Sequence, residues 1–166
     1  MTDMTNMTDT AATETTIRQK RYDRGLEVLK RINGESVIEL ADSLREISPE
    51  LGYQTVAWAY GDSYSRPALS PRDRQLITLG MLTSQGGEET ELRAHIPLAL
   101  AVGLTPDEIV ETFLHAAVYC GFPRAINATQ TARKVFAERG VSVSAAAATP
   151  VPVDVPVRSA RSTPSQ

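Results

Sequence analysis

Cysteine is almost absent from this 166-residue chain, which holds one, Cys120. A single thiol excludes an intramolecular disulfide and a cysteine-rich metal site. Histidine is nearly as scarce, and His95 and His115 show no ligand spacing on a common helix, so no metal is expected. No apolar run approaches the roughly 20 residues of a membrane span. No sustained Lys/Arg block exists either: the cluster from Arg18 to Arg31 is interrupted by Asp23 and Glu27, and the net charge is −3. Nucleic acid and anionic membrane are therefore not expected partners. The polar, acidic N-terminus shows no secretory signal, and the chain is expected in the cytoplasm. Only nine side chains are aromatic, and many apolar positions are Ala, which buries little area. Such a core gains from burying further surface between copies.

Helical signals occupy the middle of the chain, and no alternation of period two is long enough for a sheet. Tyr22, Leu26, Leu29 and Ile32 recur at helical spacing and stop at Asn33-Gly34. A second helix is expected from about Ser36 to Ile47. Ser48-Pro49 and Ser70-Pro71 each place an N-cap before a proline at the first helical position. The first opens a helix through about Tyr64, the second a largely buried one ending near Gly86-Gly87. Thr105-Pro106-Asp107-Glu108 reads as a capping box, and Pro123 to Arg139 as the last helix, closed by Gly140. The fold class is all-α. Residues 1–16, rich in Thr, Met and Asp, read as a disordered tail, residues 17–140 as one domain, and residues 141–166 as a second tail. Four of the ten prolines lie in that second tail and forbid a continuous helix.

The most informative group is Glu88, Glu91 and His95, in Gly87-Glu-Glu-Thr-Glu-Leu-Arg-Ala-His-Ile. At about 100° per residue, Glu91 lies about 60° and His95 about 20° from Glu88, so all three share a helix face. Glu91 and His95 are i,i+4 neighbours. A carboxylate beside an imidazole favours the charged ring, which predicts a raised pKa and a proton donor near neutral pH.

Other candidates have structural explanations beside them. Glu108 is accounted for by the capping box. His115 shares a stripe with Glu111 and Tyr119 and reads as an exposed i,i+4 partner of Glu111. Cys120 falls on an apolar side with Ile109, Phe113 and Ala116, where a thiol is usually inert. Trp58, Tyr60 and Tyr64 read as core or subunit interface. Arg66, Arg72 and Arg74 flank a turn, and an anionic substrate would need at least one bidentate guanidinium.

The segments Arg74-Gln-Leu-Ile-Thr-Leu-Gly-Met-Leu, Leu92-Arg-Ala-His, Gly103-Leu-Thr-Pro-Asp-Glu-Ile and Tyr119-Cys-Gly-Phe-Pro closely resemble the carboxymuconolactone decarboxylase family. With Gly61-Asp-Ser-Tyr-Ser-Arg-Pro-Ala-Leu-Ser upstream, the likeness covers residues 18 to 140 in the expected order. The resemblance implies an alkylhydroperoxidase D-like bundle of about six helices, assembled as a homo-trimer or homo-hexamer. Thiol peroxidases of that superfamily carry Cys-x-x-Cys-x-x-x-His. Here His95 takes the histidine place, while Glu88 and Glu91 stand where the cysteines would be. The substitution points to proton chemistry.

The implied reaction is cofactor-independent decarboxylation of 4-carboxymuconolactone, a small anionic lactone, to β-ketoadipate enol-lactone. The lactone carbonyl accepts the electrons of the breaking C–CO2 bond, so the substrate is its own electron sink. The candidate catalytic residues are His95, Glu91 and Glu88. Arg74 matches the family's arginine and is the preferred anion binder. Arg66 stands beside it as a second substrate contact, and Tyr119, Cys120 and Pro123 would line a pocket at the helix break. Two alternatives stand: a thiol-dependent peroxidase, and a non-catalytic oligomeric binding protein.

Overall fold

The computed structural model describes the backbone of residues 3–144 and side chains from residue 13 onward. It consists of α1 (Asp3–Arg31), α2 (Glu35–Arg45), α3 (Pro49–Val56), a π-helical segment (Ala57–Tyr64), α4 (Pro71–Gln85), α5 (Glu89–Ala101), α6 (Pro106–Cys120) and α7 (Phe122–Arg139). No strand occurs among the described residues. The fold is all-α, with seven α-helices where about six were expected. Gly86 at φ 75° and Gly121 at φ 84° break the chain between α4 and α5 and between α6 and α7, a backbone that side chains disfavour.

Two boundaries differ from the sequence expectation. The first helix begins at Asp3, inside the stretch read as a disordered tail; no Pro or Gly precedes Gly25 to interrupt it. At the other end, Val141 and Val143 pack on the core, and the Val141 N–H donates to the Phe136 carbonyl at 3.0 Å. The body thus continues to Ser144, and the rest of the expected C-terminal tail lies outside the described residues.

The capping box expected at Thr105 forms, and the N-cap expected at Ser70 proves to be a second one. The Asp73 N–H donates to Ser70 Oγ at 3.1 Å, and the Glu108 N–H to Thr105 Oγ1 at 3.2 Å. These boxes fix where α4 and α6 start. The two helices run parallel, Arg72 pairing with Glu108 at their N-terminal ends, while α5 and α7 return antiparallel. Leu79, Ile96, Ile109, Phe113, Ala132 and Val135 form the core of this four-helix unit. A second cluster, including Leu29, Val56 and Tyr60, lies where α1 packs on the π-helical segment, and Leu98 of α5 belongs to it.

The expected single helix from Ser48 to Tyr64 changes pitch at Ala57. The wider turn accompanies a close approach to α1, where Gly25 faces Val56 and Gly61 faces Arg21. It sets the Tyr60 ring against Tyr64 at a tilt of 36°, with centroids 4.8 Å apart, and sends Tyr64 toward α4.

Candidate active site

The N-cap of α4 places Gln75 in the helix's second turn, where it is 0% exposed. The antiparallel α5 brings His95 opposite. His95 Nδ1 lies 3.1 Å from Gln75 Oε1, and Gln75 Nε2 donates to the Tyr64 hydroxyl at 3.1 Å. An amide with no water contact must bond at both ends, since a buried unsatisfied polar group costs about 1–3 kcal/mol. A carbonyl oxygen only accepts, so this contact is a hydrogen bond in the tautomer that carries its proton on Nδ1, which leaves Nε2 with a lone pair. Burial raises the Tyr64 pKa; bonds from Thr78 and Gln75 and the charge of Arg74 oppose it. The hydroxyl is therefore neutral.

The expected charge on His95 is not found. Desolvation lowers its pKa, and the opposing charge of Glu91 does not overcome it. Adjacency in sequence made Glu91 visible, but the burial of the ring against Gln75 depends on packing between helices. In the free protein the imidazole is neutral at pH 7.

Glu88 is the N-cap of α5, at φ −100° and ψ 39°, and lies outside the helical face. Its carboxyl nevertheless lies close to that of Glu91, and the neighbouring carboxylate raises the Glu88 pKa. Glu91 is exposed. One line of groups thus runs from a water-facing carboxyl pair to a partly buried imidazole, then to a buried amide and a phenol.

Arg74 closes the buried end. Its guanidinium carbon lies 5.6 Å from the Tyr64 ring centroid, and Nη2 donates to the Arg66 carbonyl at 3.0 Å. Arg74 Nε is buried with no partner among the described residues. Arg66 contributes that carbonyl, and its own side chain is exposed. Arg72, by contrast, is spoken for by Glu108.

Tyr119, Cys120 and Pro123 do not join this group. They lie near the C-terminal end of α4, where Gly86 faces Arg124, about 18 Å along the helix from Arg74 at 1.5 Å per residue. Tyr119 is 79% exposed and stands edge-on to His115 at 5.3 Å. It borders a groove of about 600 Å³ between α4 and α6, together with Ile77, Met81 and His115. None of His95, Glu88, Glu91 and Arg74 lines that groove. Cys120 is partly buried, with Sγ 3.9 Å from the Gly121 carbonyl. Among the described residues no group of three or more His, Cys, Asp or Glu side chains is placed to hold a metal, and no helix is long and apolar enough to cross a membrane.

Comparison with known proteins adds to this geometry. The profile of the Carboxymuconolactone decarboxylase family matches residues 49–134. The chain belongs to that family. It is 32% identical over 125 residues to 4-carboxymuconolactone decarboxylase of Acinetobacter baylyi (strain ATCC 33305 / BD413 / ADP1), covering 75% of this chain and 92% of the relative. It is 36% identical over 128 residues to nitrosuccinic acid decarboxylase npaB of Metarhizium robertsii (strain ARSEF 23 / ATCC MYA-3075), covering 75% and 87%.

In this carboxymuconolactone decarboxylase family chain, sequence reasoning missed Gln75 and underused Tyr64. A glutamine inside the run Arg74–Leu82 was the available signal, since a polar amide on a core face needs partners; the run itself, expected to be largely buried, exposes Ile77 and Met81. Its partners are 20 and 11 residues away, and helical periodicity does not reach that far.

Proposed function

We propose that this protein is a cofactor-independent carboxy-lyase that decarboxylates 4-carboxymuconolactone, or a related acid whose carbanion is stabilised by its own acceptor group. The observation that carries the reading is His95, neutral and partly buried, set between the Glu88–Glu91 pair and the Gln75–Tyr64–Arg74 cluster. Both named relatives support the substrate class. Loss of CO2 from 4-carboxymuconolactone leaves electrons that delocalise into the lactone carbonyl, and loss from nitrosuccinic acid leaves electrons that a nitro group accepts.

In this reading Arg74 takes a substrate carboxylate through its unpartnered Nε and the second N–H of Nη2 on the same edge, with Arg66 at the same turn. The bound anion raises the affinity of His95 for a proton, so the ring charges at Nε2 as substrate enters. The C–CO2 bond breaks, CO2 leaves, and the electron pair moves through the ring alkene to the carbonyl oxygen as a dienolate. Positive charge nearby stabilises that oxygen. His95 then gives its Nε2 proton to carbon, yielding the enol-lactone, and recovers a proton from water by way of Glu91 and Glu88.

The assembly is a homo-trimer or homo-hexamer in the cytoplasm. Exposed apolar side chains on neighbouring helices, among them Ile77, Met81, Leu114, Val118 and Phe122, support association through surface burial.

Purified protein mixed with 4-carboxymuconolactone should release one CO2 per lactone consumed, without added metal or cofactor. 2-Nitrosuccinate in parallel tests the second acceptor. Failure with both acids, together with thiol-dependent consumption of an organic hydroperoxide, would replace this reading with the peroxidase one.

A further inference from the structure

We propose that Gln75 and Tyr64 are positioning residues that select the tautomer of His95, holding the proton on Nδ1 so that Nε2 does the proton transfer. The inference rests on the decarboxylase reading for its role in turnover, but not for its geometry.

Three observations carry it. Gln75 is 0% exposed, so its amide has no water to turn toward. Its two ends meet different partners at the same 3.1 Å separation, His95 Nδ1 at the oxygen and the Tyr64 hydroxyl at the nitrogen. Tyr64 itself is held from several sides: the tilted Tyr60 ring lies 4.8 Å away, Arg74 lies over its ring, and Thr78 bonds to its oxygen. Reversing the amide would turn its N–H groups toward His95 and require the proton to sit on Nε2. It would also require the Tyr64 hydroxyl, which accepts from Gln75 Nε2, to turn and donate to the amide oxygen, so the direction of the Tyr64–Gln75 bond and the tautomer of His95 are coupled.

A neutral amide also does something a carboxylate would not. It orients the imidazole without stabilising its charge, so the ring stays neutral until an anion arrives. Gln75 faces the ring from α4, and Glu91 on α5 is the one ionisable group whose charge acts on it among the described residues. The π-helical segment thereby acquires a role: its wide turn delivers the phenol that orients the amide that orients the ring.

The test uses full-length protein labelled with 15N-histidine, in a His115→Gln background so that a single ring is observed. At a pH where that ring is neutral, His95 should carry its proton on Nδ1. Tyr64→Phe should populate the Nε2-protonated form and lower kcat about tenfold with KM unchanged, less than the 10²–10⁴-fold worth of the acid–base group itself. Gln75→Glu should raise the ring's titration midpoint by about 1–3 units, as an adjacent carboxylate does. A wild-type ring protonated on Nε2 overturns the proposal, as does a Tyr64→Phe ring still wholly protonated on Nδ1. Should Gln75→Glu not fold, the Tyr64→Phe spectrum decides alone. These spectra need no substrate, so inactivity toward the lactone would sink the proposed reaction and leave the tautomer result standing.

Discussion

Gly61 meets the backbone of Arg21 with no room for a side chain: a Cβ there would lie 2.2 Å from the Arg21 carbonyl oxygen. The obstacle is main chain, so relief would require α1 to move off the π-helical segment. Asp62 is held to the same turn of α1 by Arg21, whose Nε donates at 2.8 Å, and Tyr64 leaves that segment two residues later. Gly61→Ala should therefore lower stability by roughly 1–3 kcal/mol or more, the cost of overpacking a close contact, read as a lower denaturant midpoint. It should also reduce turnover through the displaced Tyr64. An unchanged midpoint would mean that α1 is not packed in this way.

The depressed pKa of His95 has a stability consequence with a definite sign. Unfolded, the ring takes up a proton below about pH 6.5; folded, burial makes it resist protonation until lower pH. Between those values the unfolded state binds more protons, so stability falls as pH falls through that window. The stability advantage of wild type over His95→Gln should shrink between pH 7 and pH 5. A constant difference would contradict the burial assigned to the ring.

Kinetics should show the same group in two states. If substrate charges the ring, the free protein loses its protonated form at lower pH than the complex does. The descending limb of kcat/KM should then lie below that of kcat. Glu91→Gln removes the charge that raises the ring's pKa and should move both limbs to lower pH. Coincident limbs would argue that substrate carries no charge to His95.

Helical periodicity was enough to place Glu91 one turn from His95, whereas Glu88, expected on the same face, caps the helix and meets Glu91 from outside it. The capping box at Thr105 was legible because its partners are three residues apart, whereas at Ser70 the N-cap was read without its reciprocal partner Asp73. Burial was not legible. Whether His95 faces water or Gln75 depends on how α5 lies on α4, and that reversed the expected direction of its pKa. The pitch change at Ala57 was hidden too: Gly61-Asp62-Ser63 lowers the helix propensity of Ala57–Tyr64, but low propensity does not distinguish a wider turn from a helix end. Distance was not legible either: Tyr119, Cys120 and Pro123, read as lining a pocket at the helix break, lie toward the other end of α4 from Arg74, and shared motif membership says nothing about distance along a helix.

Arg74 offers a separable test of binding. Its Nε is buried without a partner, and a lysine would supply charge but no fork. Arg74→Lys should raise KM roughly tenfold while lowering kcat less, as expected for an anchor that holds ground state and transition state alike. Loss of kcat with KM unchanged would move Arg74 from anchor to transition-state group.

The thiol and the imidazole should part company. Cys120 Sγ touches only the Gly121 carbonyl among its recorded hydrogen-bond partners and lies at the far end of α4 from His95, where it has no access to a dienolate carbon held by Arg74. Cys120→Ser should keep most of the decarboxylase activity. His95→Ala should lose about 10²- to 10⁴-fold in kcat/KM, the usual worth of a positioned acid–base group, with its helical circular dichroism retained. The opposite pattern, with the serine variant dead and the alanine variant active, would put the chemistry at sulfur. It would then favour the peroxidase reading, with an external thiol needed to resolve a lone cysteine.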